Sequence, residues 1–548
     1  MKRISTFVWA FILLLVACFT AGAFCLGTTK STGKSLALVE NKSAYYTVDM
    51  GESKMFCAVY LNIGTVYLPE NSETNVVVKY STSSTSTTNW KRVASPLTVS
   101  TDNAYNWVCL TSGKDLQNVK RLSVSADCNL ELCEIVCLNE KGETIKLAVG
   151  KNGTNGTDYD DSAVVNTLDA QDNFYKETGA RYTYTRAESD LLVSVKNVLS
   201  GTEKQQGSVY AMAKGYNYLA TLFTLPTVAT FGVSTFALRL PSLIALAVGV
   251  VFLFLIAKEL LKEDLYAFGV GAFGVLACAS IFPATALAYA FSAVMVSAYF
   301  AVRFFTRGIS SKRILRGGTN ILLSGVFSAI ALASETMAIF PVLGVLGILA
   351  CGLVRQSKAF KIALEKADEK GENKLRDDYA YKTRVSYCFG ALSFVAVTFL
   401  LILVSTVACY PAILRTFGSA TGFASAMWLG VKAGWRNVGA GGRLRILKWF
   451  VGAGMPVFAR VICLLGAIGF VCATAFNVLA WIQKKNDKTL LRARRTYFLL
   501  LGGVLLSVCA WLVKGGVGVV PSPVFACAYL AFLPLAMITA FALWGKKR

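Results

Sequence analysis

Two hydrophobic patterns divide this chain. Between residues 35 and 150, short runs of alternating apolar and polar residues are separated by Gly, Asn and Ser, which is typical of half-buried β-strands joined by turns. From about residue 205, apolar runs of membrane-spanning length recur, with basic residues between them. The pattern therefore predicts an all-β domain followed by a polytopic α-helical membrane domain.

The spacing of the predicted strands favours a β-sandwich, because several short strands with regular turn signals are typical of that fold. Within "LELCEIVCL", period-two alternation puts one set of side chains on each face. The first set is Leu132, Glu134 and Val136, and the second is Cys133, Ile135 and Cys137. A polar linker, 151–162, closes this domain.

The N-terminus reads as a basic start followed by an apolar run from Phe7 to Leu26. This pattern fits either a signal peptide or a first membrane helix. The residues "LVAC", ending at Cys18, match a lipoprotein cleavage site, but the apolar run continues beyond them. We expect an uncleaved first helix, which places the following residues outside the cytoplasm.

Further apolar stretches bring the predicted total to about 10–11 helices. They cover 212–235, 239–257, 266–282, 285–302, 319–334, 337–354, 385–408, 456–483, 497–513 and 518–544. Basic loops at 303–316, 355–384 and 484–495 and a basic C-terminus are predicted to be cytoplasmic by the positive-inside rule. If every apolar stretch crossed the membrane, these basic loops would lie outside the cytoplasm. We therefore expect that one of the stretches does not span the membrane. Residues 212–235 are one candidate, and a re-entrant pair around Pro283 is the alternative.

These patterns predict six segments. They are a signal anchor or first transmembrane helix (1–27), an extracytoplasmic β-sandwich (28–150), a linker with an acidic outer loop (151–209), a membrane core (210–354), a cytoplasmic loop (355–384) and C-terminal membrane helices (385–548) that include a basic outer loop, 410–455.

Composition supports the membrane class and limits the chemistry. Hydrophobic residues make up 55% of the chain and the mean hydropathy is +0.52. Most of the 32 acids lie between residues 28 and 209, so the net charge of +23 comes mainly from the membrane half. This distribution favours anchoring of cytoplasmic loops over nucleic-acid binding. With no histidine, acid–base chemistry must use carboxylates, Lys, Tyr or Cys.

Cysteines give no sign of a disulfide framework or a zinc site. Five of the 15 lie in the polar N-terminal region, an odd number, and no pair of CxxC motifs is present. They are Cys57, Cys109, Cys128, Cys133 and Cys137.

A family resemblance rests on two stretches. Arg239-Leu240-Pro241-Ser242 opens a long apolar helix, and "LLSGVFSAIALASETMAIFPVLGVLGIL" (322–349) supplies a later helix pair. Together they resemble the polyprenyl-phosphate-sugar glycosyltransferases of the protein O-mannosyltransferase and aminoarabinose-transferase type, a GT-C-like group. The resemblance implies a β-sandwich module in the first outer loop. The His-Pro-Pro motif of that group has no counterpart, because "YAMAKGYNYLATL" occupies its place.

The resemblance also implies an acidic pair in the first outer loop. Glu188 and Asp190 lie where this pair belongs, with Glu188 as general base and Asp190 orienting it or binding a metal. Asp169, in "LDAQ", and Asp172 are further acidic candidates. An extended backbone would put Glu188 and Asp190 on one face. The alternative is that both are N-terminal acids of a helix over "LLVSVKNVL", which favourably oppose the helix dipole.

A basic loop is the second candidate, for the lipid phosphate. Lys432, Arg436, Arg443 and Arg445 lie in 410–455, which contains no acid. The alternatives are non-specific contact with anionic lipid or an inverted topology in this region. Glu335 is a third candidate, because a carboxylate between apolar runs is often functional; an exposed turn is the competing interpretation.

The sequence therefore predicts transfer of a sugar from a polyprenyl-phosphate donor to a protein or glycolipid acceptor. The reaction would occur at the extracytoplasmic face of a bacterial plasma membrane. The resemblance leaves room for a divalent metal ion, and we expect no nucleic-acid partner. Two alternatives are a non-catalytic, glycan-binding relative and a transporter or flippase.

Overall fold

The computed structural model describes two compact units. The β-rich unit comprises Phe24–Ala211 and Thr221–Pro241, and the helical unit comprises Met1–Ala23, Met212–Ala220 and Ser242–Arg548. The described residues are 6–24, 26–27, 29, 34–52, 55–66, 73–84, 89–100, 104–150, 159–169, 171, 174, 183–184, 186–200, 218–261, 264–281, 285–307, 314–334, 342, 344–350, 352–355, 365 and 369.

Ten strands and two helices form most of the described β-rich unit. The strands are β1 (Leu36–Leu38), β2 (Ser43–Asp49), β3 (Met55–Val66), β4 (Glu73–Ser81), β5 (Lys91–Arg92), β6 (Leu97–Ser100), β7 (Asn106–Gln117), β8 (Arg121–Ala126), β9 (Leu130–Asn139) and β10 (Thr144–Val149). The helices are α2 (Asp161–Val165) and α3 (Arg186–Ser200). The predicted all-β region is thus confirmed as β-rich.

The strands pair into one antiparallel network, which differs from the predicted pair of separate sheets. Its order is β5-β4-β8-β2-β10-β9-β3-β7, with β1 on β9 and β6 on β4. Strand β10 joins two halves of the network, β5-β4-β8-β2 on one side and β9-β3-β7 on the other. Its residues Lys146–Val149 pair with β2, while Thr144 and Ile145 pair with β9. The pairing partners of β10 are not visible in the alternation pattern.

The core of this unit lies on the inner faces of these strands. Strand β9 illustrates how complete the burial is, because Glu134, Val136, Cys133 and Cys137 are all at most 1% exposed. The predicted strand is confirmed, but both of its faces are covered. Strand β9 pairs with β3, β10 and β1, so it is a central strand of the network. Residues after the strands also contact it, since the Ile135 N–H donates to the Thr167 carbonyl at 3.1 Å.

The end of β10 approaches β2 closely at Gly150. A Cβ added there would lie 2.7 Å from the carbonyl carbon and 2.8 Å from the backbone nitrogen of Tyr46. The Gly150 N–H donates to the Tyr45 carbonyl at 2.8 Å. Since these neighbours are backbone atoms of a paired strand, they cannot move aside as a flexible side chain would.

We therefore expect Gly150→Ala to lower the free energy of unfolding of the β-rich unit by about 1–3 kcal/mol through overpacking. Protease resistance of this unit during urea unfolding of the full-length protein measures the loss. Gly269→Ala is the matched control, because nothing lies within 4 Å of an added Cβ there. A helical Gly→Ala change is neutral or stabilising by roughly 0.5–1 kcal/mol. Equal stability of the Gly150→Ala variant and the wild type would contradict the close approach.

Five longer helices follow the β-rich residues along the chain, and a shorter apolar helix, Gly344–Arg355, comes after them within the predicted 337–354 stretch. The five longer helices are α4 (Tyr218–Phe231), α5 (Thr235–Leu261), α6 (Asp264–Ile281), α7 (Thr285–Arg307) and α8 (Ile314–Ser334), and α1 (Thr6–Ala23) precedes them. Three spans among the described residues are long and apolar enough to cross a membrane: Thr6–Ala23, Thr235–Leu260 and Ala288–Arg307. This finding supports membrane association. The four predicted helices beyond residue 384 lie outside the described residues.

Helix α4 is shorter than a membrane span. Its 14 residues contain Pro226, and a helix of that length rises only about 21 Å, against about 30 Å of hydrocarbon. Residues 212–217 of the stretch that is predicted not to span, 212–235, lie outside the described residues. Pro283, the alternative, lies outside the described residues.

Within the helical unit, α1 packs as an integral helix. Gly22 lies directly against Leu243 of α5 and Gly271 of α6 against Leu14, so small residues allow close approach. The Phe7 and Phe254 rings stack at 5.5 Å. These contacts make α1 part of the helical unit.

One end of the helical unit is rich in cations, and we call it the basic end. It contains the N-terminus of α1, the C-termini of α5 and α7 and the N-terminus of α6. There the Lys258 ammonium lies 3.7 Å from the Phe7 ring centroid and 2.9 Å from Asp264. Glu259 pairs with Arg307 at 2.7 Å. Because the pairs join different helices, they fix which helix ends lie together.

Candidate functional site

The predicted acid Glu188 is half of a buried ion pair. Its Oε1 accepts from Arg239 Nε at 2.7 Å and its Oε2 accepts from Arg239 Nη2 at 3.1 Å. Both residues are 0% exposed, and Arg239 Nη2 also donates to the Thr183 carbonyl at 2.8 Å. A two-point contact between guanidinium and carboxylate is the strong geometry for such a pair. It joins helix α3 to the first turns of α5 within the β-rich unit.

The backbone around Glu188 is helical, which corrects one expectation. The extended backbone required by the catalytic pairing of Glu188 with Asp190 is wrong, because α3 begins at Arg186 and contains both residues. Residues two apart on a helix point in different directions, so the two acids do not share a face. The alternative of N-terminal helix acids is confirmed for their backbone. The side chain of Asp190 lies outside the described set.

Hydrogen bonds to residues at and just before the start of β7 hold the N-terminus of helix α3 in place. The Ser189 hydroxyl donates to the Ala104 carbonyl at 2.8 Å. Just before the helix, the Tyr184 N–H donates to the Asn106 side-chain oxygen at 2.8 Å, and the Asn106 amide donates back to the Tyr184 carbonyl at 3.1 Å. Asn106 therefore satisfies both backbone groups of Tyr184 as a neighbouring strand would.

The phenol of Tyr184 lies in the same buried environment as the ion pair. Burial raises its pKa above the ordinary range, the Glu188 carboxylate raises it further, and the Arg239 guanidinium opposes both effects. The hydroxyl is therefore neutral at physiological pH and does not act as a base there. It is a packing partner, whose ring meets that of Tyr105 edge-on at 6.4 Å.

A second, half-buried polar cluster lies further along α3. Lys196 Nζ is 3.5 Å from Glu131 Oε2 on β9, with side chains 27% and 19% exposed. The same oxygen accepts the Thr65 N–H at 3.1 Å, and Lys196 Nζ lies 5.2 Å from the Tyr105 ring centroid. Partial exposure makes this ion pair weaker than the buried one.

Tyr105 connects this cluster to the sheet in an unusual conformation. Its φ is +60°, in the left-handed region that bulky residues rarely adopt. Its hydroxyl lies 3.1 Å from that of Thr65 and donates to Glu131 at 3.4 Å. Gly64 leaves room for the cluster, since an added Cβ would lie 2.9 Å from both Cys133 Sγ and Glu131 Oε2.

Cys133 lies beneath this cluster and is unreactive as a nucleophile. Burial raises the pKa of its thiol to about 12, although Lys196 acts in the opposite direction. The described cysteines of the β-rich unit form no disulfides with one another.

Of the other predicted site residues, Asp169 is described, and its carboxylate is one of the charges that raise the pKa of the Cys133 thiol. Asp169 is exposed and accepts the Lys34 N–H at 3.2 Å. The remaining candidates lie outside the described residues. They are Asp172, Glu335, Lys432, Arg436, Arg443 and Arg445.

Metal binding finds no support in this part of the chain. The described residues contain no group of three or more His, Cys, Asp or Glu side chains that could hold a metal ion. The Arg239 guanidinium donates to both carboxylate oxygens of Glu188. The observed geometry of Glu188 is therefore that of an ion pair.

No protein-family model, curated protein or solved structure matches this chain. The family resemblance therefore rests on the quoted sequence stretches. The geometry of α3 and α5 adds one observation of its own, because the Glu188 carboxylate and the first residue of the "RLPS" stretch are direct partners.

Several residues of this site were not predicted to be functional. Arg239 was noted as part of a motif, but its partner lies 51 positions earlier, and no local pattern links the two. Lys196 and Glu131 resemble ordinary surface charges in the sequence. The one available signal was the strongly polar segment before an apolar helix, which identified the region of Glu188 and not its partner.

Proposed function

We propose that this protein is a membrane glycosyltransferase. It transfers a sugar from a polyprenyl-phosphate donor to a protein or glycolipid acceptor at the extracytoplasmic face. The Glu188–Arg239 ion pair supports the proposal. It joins the acidic outer loop, where the resemblance implies the catalytic acids, to the start of the "RLPS" helix, from which the resemblance is read.

In this proposal Glu188 is a positioning residue. Each of its oxygens accepts a hydrogen bond from Arg239 and its side chain is 0% exposed, so an acceptor hydroxyl does not reach it. The role of general base then passes to Asp190, two residues along the same helix. A carboxylate at that position takes the acceptor proton while cationic side chains stabilise the departing lipid phosphate. Lys432, Arg436, Arg443 and Arg445 are the proposed phosphate ligands.

The membrane topology belongs to the same proposal. The basic end, with Lys258, Arg303 and Arg307, faces the cytoplasm by the positive-inside rule. Helix α1 begins at this end, so its last residues and the strands that follow are extracytoplasmic. The short α4 stays on that side, and α5 then returns to the cytoplasmic end. The finer description is a polytopic protein of a bacterial plasma membrane with a sandwich-like outer domain.

A second candidate is a non-catalytic relative that binds glycan and is anchored by its helices. The same ion pair favours it, because a buried and fully engaged Glu188 also suits a purely structural role. A transporter has less support. Charged side chains of the described membrane helices lie near the helix ends, as do Arg239, Glu259 and Arg307. Transport pathways usually place charges at membrane depth.

The test uses full-length protein in lipid nanodiscs with a panel of polyprenyl-phosphate hexoses and pentoses. We expect sugar release from at least one donor, at a rate that depends on the amount of protein and on the acceptor. Protein-free nanodiscs set the background. Release at the background rate for the whole panel, from protein whose β-rich unit is protease-resistant, rejects the transferase. It leaves the glycan-binding candidate in its place.

A further inference from the structure

One face of the β-rich unit carries a row of polar and aromatic side chains across four strands. The pairing registers align Arg92 with Lys79, Lys79 with Ser123, and Ser123 with Tyr45. We call these four residues the cross-strand row. With strands about 4.8 Å apart, the row spans about 14 Å. The adjacent residues Tyr46, Val78 and Leu122 point to the opposite face and are buried in the core.

Trp90 completes this face beside the row. Its ring lies 5.8 Å from that of Tyr45, at an interplanar angle of 47°, and both residues are half-buried. The Arg121 guanidinium lies 5.1 Å from the Trp90 ring centroid and donates from Nε to the Ser83 carbonyl at 3.0 Å. Arg121 is 3% exposed. A buried cation therefore holds the indole in place while part of the aromatic surface faces solvent.

The charges along the row are all positive. Arg92 is exposed and Lys79 is half-buried. The acids that share this face on the described parts of β2 and β4 are Asp49 and Glu73, and they lie at the far ends of their strands. Asp49 is four positions from Tyr45, about 13 Å along the strand, and Glu73 is six positions from Lys79, about 20 Å. The centre of the face is thus complementary to an anion.

We propose that the cross-strand row and Trp90 bind an acidic saccharide. The C–H groups on one side of a sugar ring carry partial positive charge and pack against the negative face of an aromatic ring. Arg92 and Lys79 supply cations for a carboxylate or phosphate on the sugar. The hydroxyl of the half-buried Tyr45 donates to and accepts from the sugar hydroxyls, whereas Ser123, which is 5% exposed, lies in the row beneath the sugar without contacting it. Because Arg121 pre-positions the indole, binding requires little ordering of that ring.

A nucleic acid suits the surface less well. Stacking rings and cations also occur in single-strand binding sites, but those rely on a strongly positive groove. Residues 34–150 contain roughly as many acidic as basic residues, so this region has no such field. The inference does not depend on transferase activity, since the row uses none of the residues proposed for the reaction.

The test measures binding of full-length protein in detergent micelles by titration calorimetry. The probes are a galacturonate trimer, neutral maltotriose and a short single-stranded DNA. We expect the acidic trimer to bind most tightly. Arg92→Gln should weaken binding of the acidic trimer at least about fivefold and leave maltotriose within about twofold, because it removes only a charge contact. Trp90→Ala should weaken both sugars, while Trp90→Phe retains a ring and keeps part of the affinity.

Lys91→Gln is the matched control. Lys91 is exposed and adjacent to Arg92, but its side chain points to the other face of β5. This variant should bind the acidic trimer as the wild type does. The proposal is overturned if the trimer does not bind at millimolar concentration, or if Lys91→Gln weakens binding as much as Arg92→Gln. Tighter binding of the DNA than of the trimer would also overturn it, and would identify a nucleic-acid site.

Discussion

Replacing Glu188 with alanine is expected to lower the free energy of unfolding of the β-rich unit by about 3–5 kcal/mol, because it leaves the Arg239 charge buried without its partner. Both side chains are 0% exposed, so water does not compensate for the loss. Arg239→Ala should have an effect of the same size. Protease resistance of the β-rich unit during urea unfolding gives the measurement.

The double variant distinguishes the loss of the ion pair from the cost of leaving one charge buried without a partner. With Glu188 and Arg239 both replaced, no uncompensated charge remains, so the loss should be clearly smaller than the sum of the two single losses. Glu40→Gln provides the control, since Glu40 is exposed and its replacement should change stability by at most about 0.5 kcal/mol. Strictly additive single losses would show that the two side chains do not act as a pair.

Asp190→Asn is expected to reduce sugar transfer by about 10²–10⁴-fold, the usual contribution of a positioned general base. The amide keeps the size of the carboxylate but cannot accept the acceptor proton. Stability should change little, in contrast to the Glu188 variants. The rate of sugar transfer from the active donor, compared at equal protease resistance, gives the measurement.

Asp49→Asn is the control for this activity prediction. It removes an exposed acid from the β-rich unit, on a strand that does not contain the proposed base, and should retain wild-type rate. If Asp190→Asn is as active as the wild type, Asp190 is not the base. Loss of transfer together with loss of protease resistance would assign Asp190 a structural role instead.

Local patterns predicted the elements of this protein well. The strands between Leu36 and Val149 follow from alternation and turn residues, and helices α5–α8 follow from runs of apolar residues. Both signals depend on neighbouring positions. At Glu188 and Asp190 the sequence left two alternatives, an extended backbone for a catalytic pair and N-terminal acids of a helix over "LLVSVKNVL"; the helix is the one observed, and it begins at Arg186.

Long-range pairing was not predictable in the same way. The connection through β10 depends on which strands meet, and alternation gives the faces of a strand but not its neighbours. The Glu188–Arg239 pair could not be predicted from local patterns either, since its two residues are 51 positions apart in the sequence. The cross-strand row also follows from register alone, as Arg92, Lys79 and Tyr45 are unremarkable charges and rings in the sequence.

The double pairing of β10 has a consequence for biosynthesis. Strands β2 and β9 lie on either side of β10, and β10 is the last of the ten to leave the ribosome. The two halves of the network can each form earlier, but each exposes an open edge until residues 144–149 emerge. Such edges invite pairing with other chains. A pause in translation just before β10 would therefore prolong the interval in which nascent chains are most prone to aggregate.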